Sequence, residues 1–186
     1  GHAITIKMNE SLENLLHKYL FNPLGMKNTS FTLNDSQIKM LSEGHVGDFP
    51  IFMTRNKPLE NWEFSTFMEG AGGLYSNAED LMKFLKVNLG QSNTKLDNIL
   101  KKSHEILTKD DKLSYTLGWE VQHIQKYDTD IYYKYGVIAG FSCYMGMELK
   151  SKTAIVVLKN NFNWEDTIGH QILLQMALSN NNIQKD

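Results

Sequence analysis

Apolar positions along this chain fall into two rhythms. Between Ser11 and Phe21, in "SLENLLHKYLF", Leu12, Leu15, Leu16, Tyr19 and Leu20 recur at helical spacing, which predicts an amphipathic helix with one buried face. Pro23 and Gly25 end it. From Asn28 to about Pro58 the pattern is mixed, with Asn34-Asp35, Gly44 and Gly47-Asp48 as breakers, and reads as loops with short strands. In "GAGGLYSNAEDLMKFLKVNLG", Ser76 is followed three residues later by Glu79, the spacing of a capping box. Leu81, Phe84, Leu85 and Leu89 supply its buried stripe and Gly90 its end. Asn98 to Thr108 reads as a shorter helix.

From Tyr115 the period shortens. "YTLGWEVQHI", "IYYKYGVI", "FSCYMGMEL" and "TAIVVLKN" are rich in β-branched and aromatic residues and have strand length. Their connections, "QKYDTD", Ala139-Gly140 and "KSK", are too short for parallel crossovers and predict antiparallel neighbours. Trp164 to Leu178 then reads as an amphipathic helix, and 180–186 as a polar, fraying tail. Helices, a meander of strands and a closing helix make an α+β chain, an antiparallel β-sheet flanked by helices. No repeat or linker divides it, so residues 4–179 read as a single α+β domain. Residues 1–3 read as an expression scar or the start of the expressed piece.

Composition narrows the function. The chain has 186 residues, 41% of them hydrophobic and 22% charged, with a net charge of −2, values of a globular domain. The lysines are scattered and Arg55 is the only arginine, so no basic field for nucleic acid is expected. No apolar run approaches the roughly 18 residues of a membrane helix. Cys143, the one cysteine, lies in an apolar run and reads as buried and inert. The six histidines show no metal-ligand spacing, so neither a metal nor a cofactor is expected.

One stretch resists the strand reading. "YKYGVIAGF", Tyr133 to Phe141, carries a lysine and two glycines within an apolar run. Either Lys134 is a solvated lysine on a bent strand, or "KYG" is a lysine-any-glycine element of a serine hydrolase. "LFNPLGMKNTSF" (Leu20 to Phe31), "GAGGLYSNAEDLMKFL" (Gly70 to Leu85), "LGWEV" (Leu117 to Val121), "KYGVIAGFSCYMGMEL" (Lys134 to Leu149) and "AIVVLKN" (Ala154 to Asn160) bear on the choice. In that order they resemble the serine β-lactamases of class C type, a family that also holds D-alanyl-D-alanine carboxypeptidases and esterases.

The resemblance implies a partial β-lactamase/transpeptidase-like fold and an apparatus of three elements. A serine nucleophile sits in S-x-x-K, a second proton-handling group in Y-x-N, and K-T-G or H-x-G lines the opposite wall of the cleft. An acyl-enzyme forms and is hydrolysed while two backbone amides hold the oxyanion. By this resemblance Lys134, Tyr135 and Gly136 stand where K-T-G would stand, and the amide of Val137 is an oxyanion-hole donor. Gly136 lets a substrate backbone approach the strand, and Lys134 brings positive charge. Tyr135 departs from the pattern, a bulky phenol replacing the small hydroxyl that contacts substrate. Asn160 matches a substrate-side asparagine, and reads equally well as a residue that ends a strand.

The other two elements are imitated but misplaced. Ser36-Gln37-Ile38-Lys39 and Ser92-Asn93-Thr94-Lys95 are S-x-x-K, and Tyr75-Ser76-Asn77 is Y-x-N. Chance alone supplies about one S-x-x-K at this composition. In the family both elements precede the P-L-G-M phrase, whereas these follow it. The expectation is a C-terminal portion that begins beyond the family's Y-x-N, without the serine, the helical domain and the strands that flank the final helix. Its first functional reading is therefore part of a serine hydrolase acting on β-lactams, D-Ala-D-Ala peptides or esters, and inactive alone. The alternatives are a non-catalytic binding or self-associating module and a miniature hydrolase using Ser36. The resemblance also implies a small-molecule or peptidoglycan-peptide substrate and the periplasm or cell envelope. An uncovered sheet edge and helix face at Ile168, Ile172 and Met176 would favour a homo-oligomer.

Overall fold

The computed structural model describes residues 1–47, 53–92, 94–110, 113–163 and 167–183. Its contacts group into two compact units, 1–83 with 137–142 and 158–164, and 84–136 with 143–157 and 165–186. The sequence contains no linker between them because the chain passes from one to the other repeatedly, inside helices and strands.

In the first unit the N-terminal apolar stripe folds as several short helical pieces. A short helix α1 (His2–Met8) precedes α2 (Leu12–Leu16). Ser11 caps α2, its oxygen accepting the Asn14 amide at 3.2 Å. A π-helical turn at His17–Phe21 and then α3 (Asn22–Leu24) follow directly. Leu15 and Phe21 are buried, whereas Tyr19 faces solvent. Gly25 at φ 65° ends the run and turns the Met26 amide back to the Phe21 carbonyl at 2.9 Å. This is the reason for the "NPLGM" phrase.

After a single turn, α4 (Asp35–Ile38), come β1 (Gly44–Val46) and β2 (Pro58–Leu59). They form a small sheet with β9 (Asn161–Phe162), ordered β2-β1-β9, in which β1–β2 is antiparallel and β1–β9 parallel. Backbones meet closely here: a Cβ added at Gly140 would lie 2.2 Å from the Gly44 carbonyl carbon.

Helix α5 (Ala78–Asn88) starts one residue later than the serine predicts. Asn77 caps it, accepting the Asp80 amide at 2.9 Å, while Ser76 Oγ is 2.8 Å from Thr29 Oγ1. The expected Ser76–Glu79 capping box is thereby corrected: a tertiary partner takes the serine, and the next polar residue caps. Asp80, with no exposed surface, accepts Asn28 N–H at 2.7 Å, Thr29 O–H at 3.0 Å and the Lys83 ammonium at 2.9 Å. Burial pushes its carboxyl up, but the hydrogen bonds from Lys83, Asn28 and Thr29 outweigh that and hold it below the usual range. The same ammonium donates to the Gly25 carbonyl at 2.8 Å. One buried carboxylate thus ties "PLGMKNT" to "NAEDLMKFL".

In the second unit α5 buries Leu85 and Val87, and Leu89 is buried just beyond its end. Helix α6 (Leu96–Lys102) starts earlier and ends sooner than the expected Asn98–Thr108, because Thr108–Lys109 forms a strand, β3. The main sheet runs in chain order through β3, β4 (Ser114–Tyr115), β5 (Glu120–Ile124), β6 (Thr129–Ile138), β7 (Phe141–Glu148) and β8 (Thr153–Lys159). The ladders β3–β4, β4–β5 and β5–β6 are antiparallel, as the short connections require. Turn positions with positive φ are Asp128, Ala139 and Lys152.

Glu148 at the end of β7 is buried and accepts from Thr129, Lys150 and both the amide and hydroxyl of Ser151. Burial opposes its charge, but these donors hold its carboxyl below the usual range. Helix α7 (Ile168–Ile183) packs Leu173 and Ala177 inward and lays Gly169 on the Tyr144 ring, where a Cβ would come within 2.4 Å. The expected start at Trp164 lies outside the described residues, as do 184–186. The first four residues of the polar tail, 180–183, belong to α7. The architecture is α+β, an antiparallel sheet flanked by helices. No helix among the described residues is long and apolar enough to cross a membrane.

Candidate functional site

The strand β6 is longer than its neighbour. Its ladder to β5 begins at Ile124↔Thr129 and ends at Glu120↔Tyr133, so Lys134 to Ile138 run past the end of β5. Lys134 and Tyr135 are exposed there, and Gly136 and Val137 half-buried. A Cβ added at Gly136 would touch only Cys143 Sγ, at 3.5 Å. That is ordinary contact, so neither packing nor φ demands glycine at this position. The absence of a side chain keeps the strand surface bare.

Lys134 does not stand alone. Its ammonium donates to Glu120 Oε1 at 2.9 Å, with the lysine side chain 53% exposed and the glutamate side chain 19%. Glu120 stands opposite Tyr133 on β6 and opposite Tyr115 on β4. The Tyr133 phenol is pushed up to about 12 by burial, then by the Glu120 carboxylate beside it and its hydrogen bond to it, and by Tyr115 and Tyr135. Behind this row Tyr133 stacks on Tyr144, centroids 6.0 Å apart, and meets the edge of His170 at 5.2 Å. His170 Nδ1 is 3.1 Å from the Tyr144 hydroxyl, and burial holds its imidazole below the usual value. Tyr115 and Tyr135 remain 39% and 47% exposed. The patch is aromatic and carries one cation already matched by one anion.

Cys143 is exposed, which corrects the expectation of a buried thiol; it is the neighbour of Gly136, and the bare glycine leaves it uncovered. In the first unit, Asn160 donates through Nδ2 to the Glu43 carbonyl at 3.3 Å, and its own carbonyl accepts the His45 amide at 3.0 Å. Its side chain therefore braces the chain between β8 and β9. Ser36 lies on the exposed turn α4, its hydroxyl donating to the capping Asn34 Oδ1 at 2.5 Å. Ser92 hydrogen-bonds Asp97 and Thr94. Tyr75 makes an antiparallel bridge with Ser30, and Asn77 caps α5. No group of three metal-ligand side chains occurs among the described residues. An open concavity of about 680 Å³ is lined by residues 57–63 alone and holds none of the expected site residues.

Sequence reading missed Glu120 and the tyrosine row. "LGWEV" was legible as a phrase, but the partner of its glutamate depends on strand register, which a 14-residue separation conceals.

The lysine-any-glycine segment thus lies on β6, a strand between β5 and β7 in the long sheet. The β-lactamase family profile matches residues 2–176, and the chain belongs to that family. A comparison with curated protein sequences gives no match. Among solved structures it is similar to a class C β-lactamase, with 19% identity and TM-score 0.75, covering 92% of this chain and 52% of that one. A β-lactamase/D-alanine carboxypeptidase from Pseudomonas syringae matches with 18% identity and TM-score 0.75, covering 94% and 55%. A class C β-lactamase from Rhodobacter sphaeroides matches with 15% identity and TM-score 0.77, covering 98% and 57%. At these identities the likeness is one of fold. The chain spans about half the length of these solved structures.

Proposed function

We propose that this chain supplies the K-x-G wall of a β-lactamase-like serine hydrolase and that the serine nucleophile is not among its residues. The reaction would be acyl-enzyme formation and hydrolysis on a β-lactam, a D-Ala-D-Ala peptide or an ester, in the periplasm or cell envelope where the family acts. The observation that carries this is the Lys134-Tyr135-Gly136 segment running past the end of β5, with Gly136 free of any packing need for its missing Cβ. In this reading Lys134 supplies positive charge near the reacting group and the Val137 amide donates to the oxyanion, while Asn160, whose side chain donates to the Glu43 carbonyl, keeps its reading as a residue that ends a strand. The Ser36 hydroxyl is engaged with its own helix cap on an exposed single turn, which supports leaving it out of the chemistry.

Incubating the chain with a fluorescent penicillin tests the reading. No covalent label is expected. Label that Ser36→Ala abolishes would overturn it in favour of a miniature hydrolase.

A second reading, a self-associating module, is favoured by α7. Ile168, Ile172 and Met176 are 52%, 39% and 43% exposed at one helical spacing while Leu173 and Ala177 are fully buried. A dimer by light scattering at micromolar concentration supports it, and a strict monomer removes it.

A further inference from the structure

We infer that the Lys134-Tyr135-Gly136 strand takes uncharged acyl ligands and rejects those carrying a free carboxylate, with Glu120 and Tyr135 as the residues that set this preference. The inference rests on the reading of this strand as a substrate wall and deepens it by naming the substrate class.

Three observations carry it. First, the one ammonium on the segment is matched at 2.9 Å by Glu120 Oε1. A ligand carboxylate approaching Lys134 meets a cation whose charge is already balanced, and it meets the balancing anion as well. Displacing Glu120 would leave a carboxylate, itself only 19% exposed, without its partner, and like charges brought together disfavour binding. Second, the position next to Lys134 is Tyr135, which is 47% exposed. Its hydroxyl sits at the far end of a ring, away from the backbone where a short hydroxyl could donate to an anion. Third, the phenol of Tyr133 is pushed up to about 12, with Glu120, Tyr115 and Tyr135 among the causes after burial. Burial is the first of these causes, and Glu120 is the negative charge among the others at neutral pH.

What remains attractive is apolar and flat. The bare backbone of Gly136 has Cys143 Sγ as the nearest atom to its missing Cβ beyond its chain neighbours. Such a surface suits a neutral ester or amide whose acyl group lies on the strand beside Gly136.

The test uses the 186-residue chain and two probes that differ only in charge, N-acetyl-D-alanyl-D-alanine and its methyl ester. Each is titrated while the backbone amide resonances of Tyr135 and Gly136 are followed by NMR. The ester is expected to bind at least about tenfold tighter than the acid. Glu120→Gln, which keeps the shape and removes the charge, should bring the two affinities within about threefold, whereas Glu120→Asp should keep the wild-type preference. Tyr135→Thr should raise acid binding and leave ester binding weaker. A residue that merely held the strand in shape would change both affinities together and leave their ratio alone. Acid binding equal to or tighter than ester binding in the unaltered chain overturns the inference, as does an unchanged ratio in Glu120→Gln; either leaves the substrate-wall reading standing. If neither probe moves those two amides, the substrate-wall reading itself fails and takes this inference with it.

Discussion

Two carboxylates in this chain each accept a lysine ammonium at 2.9 Å, Asp80 from Lys83 and Glu120 from Lys134. Asp80 has no exposed surface and also accepts the Asn28 amide and the Thr29 hydroxyl. Glu120 keeps a partly exposed side chain, and its lysine is half in water. Equal distance therefore does not mean equal role. A buried carboxylate with three donors holds the turn after α3 against α5, because the carboxylate itself would otherwise be desolvated without partners. A partly exposed pair contributes less to folding and, in the proposed reading, sets the charge that an approaching ligand meets.

The glycines divide the same way. A Cβ at Gly140 would collide with the Gly44 backbone at 2.2 Å, whereas at Gly136 it would rest against Cys143 at 3.5 Å. The first glycine is a packing requirement. The second leaves a surface open.

The sharpest way to break the contrast is Asp80→Ala, expected to cost about 1–3 kcal/mol in urea unfolding because the buried Thr29 hydroxyl and the Asn28 amide lose their acceptor. A loss below about 1 kcal/mol would place Asp80 with the exposed pair. Gly140→Ala should cost about 1–3 kcal/mol, since backbone must move to admit the methyl group; an unchanged urea midpoint would refute the close approach.

Acid should act in two stages. Burial holds the imidazoles of His104 and His170 below their usual value, so the neutral form is preferred in the folded state. That contribution is complete above the unfolded value of about 6.5 and is lost as pH falls through the folded ones. Asp80 and Glu148 are also held low, burial being outweighed by Lys83, Asn28 and Thr29 for the first and by Ser151, Thr129 and Lys150 for the second. Their contribution is complete above about pH 4 and drains away below it. Urea midpoints should be flat from pH 8 to 7, decline gently below about 6.5 and steeply below about 4. A midpoint that rises on acidification to pH 5 would mean that the histidines gain rather than lose by protonation in the fold.

At the small end, Lys134→Ala should change stability by less than about 1 kcal/mol. Gly136→Ala should change it by no more than about 0.5 kcal/mol while weakening any ligand that lies on the strand. A large stability loss at either position would move β6 from the ligand-facing class to the structural one.

Much of this architecture was legible because its causes are local. Gly25 stops the first helical stretch, although Pro23 lies inside its last turn instead of ending it, Ser11 caps α2, and the short joins between strands permit only antiparallel neighbours. The family resemblance was legible because five phrases keep their order along the chain, each carried by adjacent residues. Where the reading failed, a distant residue had intervened. Ser76 lost the cap of α5 to Asn77 because Thr29, 47 positions away, occupies its hydroxyl. The helix expected over Asn98–Thr108 gave up its end because Thr108 pairs with Tyr115 as a strand.

The sequence by itself determined where most of the chain turns, that the long strands follow the first helices, and that one strand carries a lysine and a glycine two residues apart. Those properties follow from backbone freedom, side-chain shape and hydrophobic period, which act within a few residues. Only the tertiary structure decided that Asp80 is buried against residues 51 and 52 positions earlier, that Lys134 meets Glu120 across two strands, and that Cys143 lies exposed. Charge pairing and burial depend on register and on which faces meet, and those are settled by long-range packing.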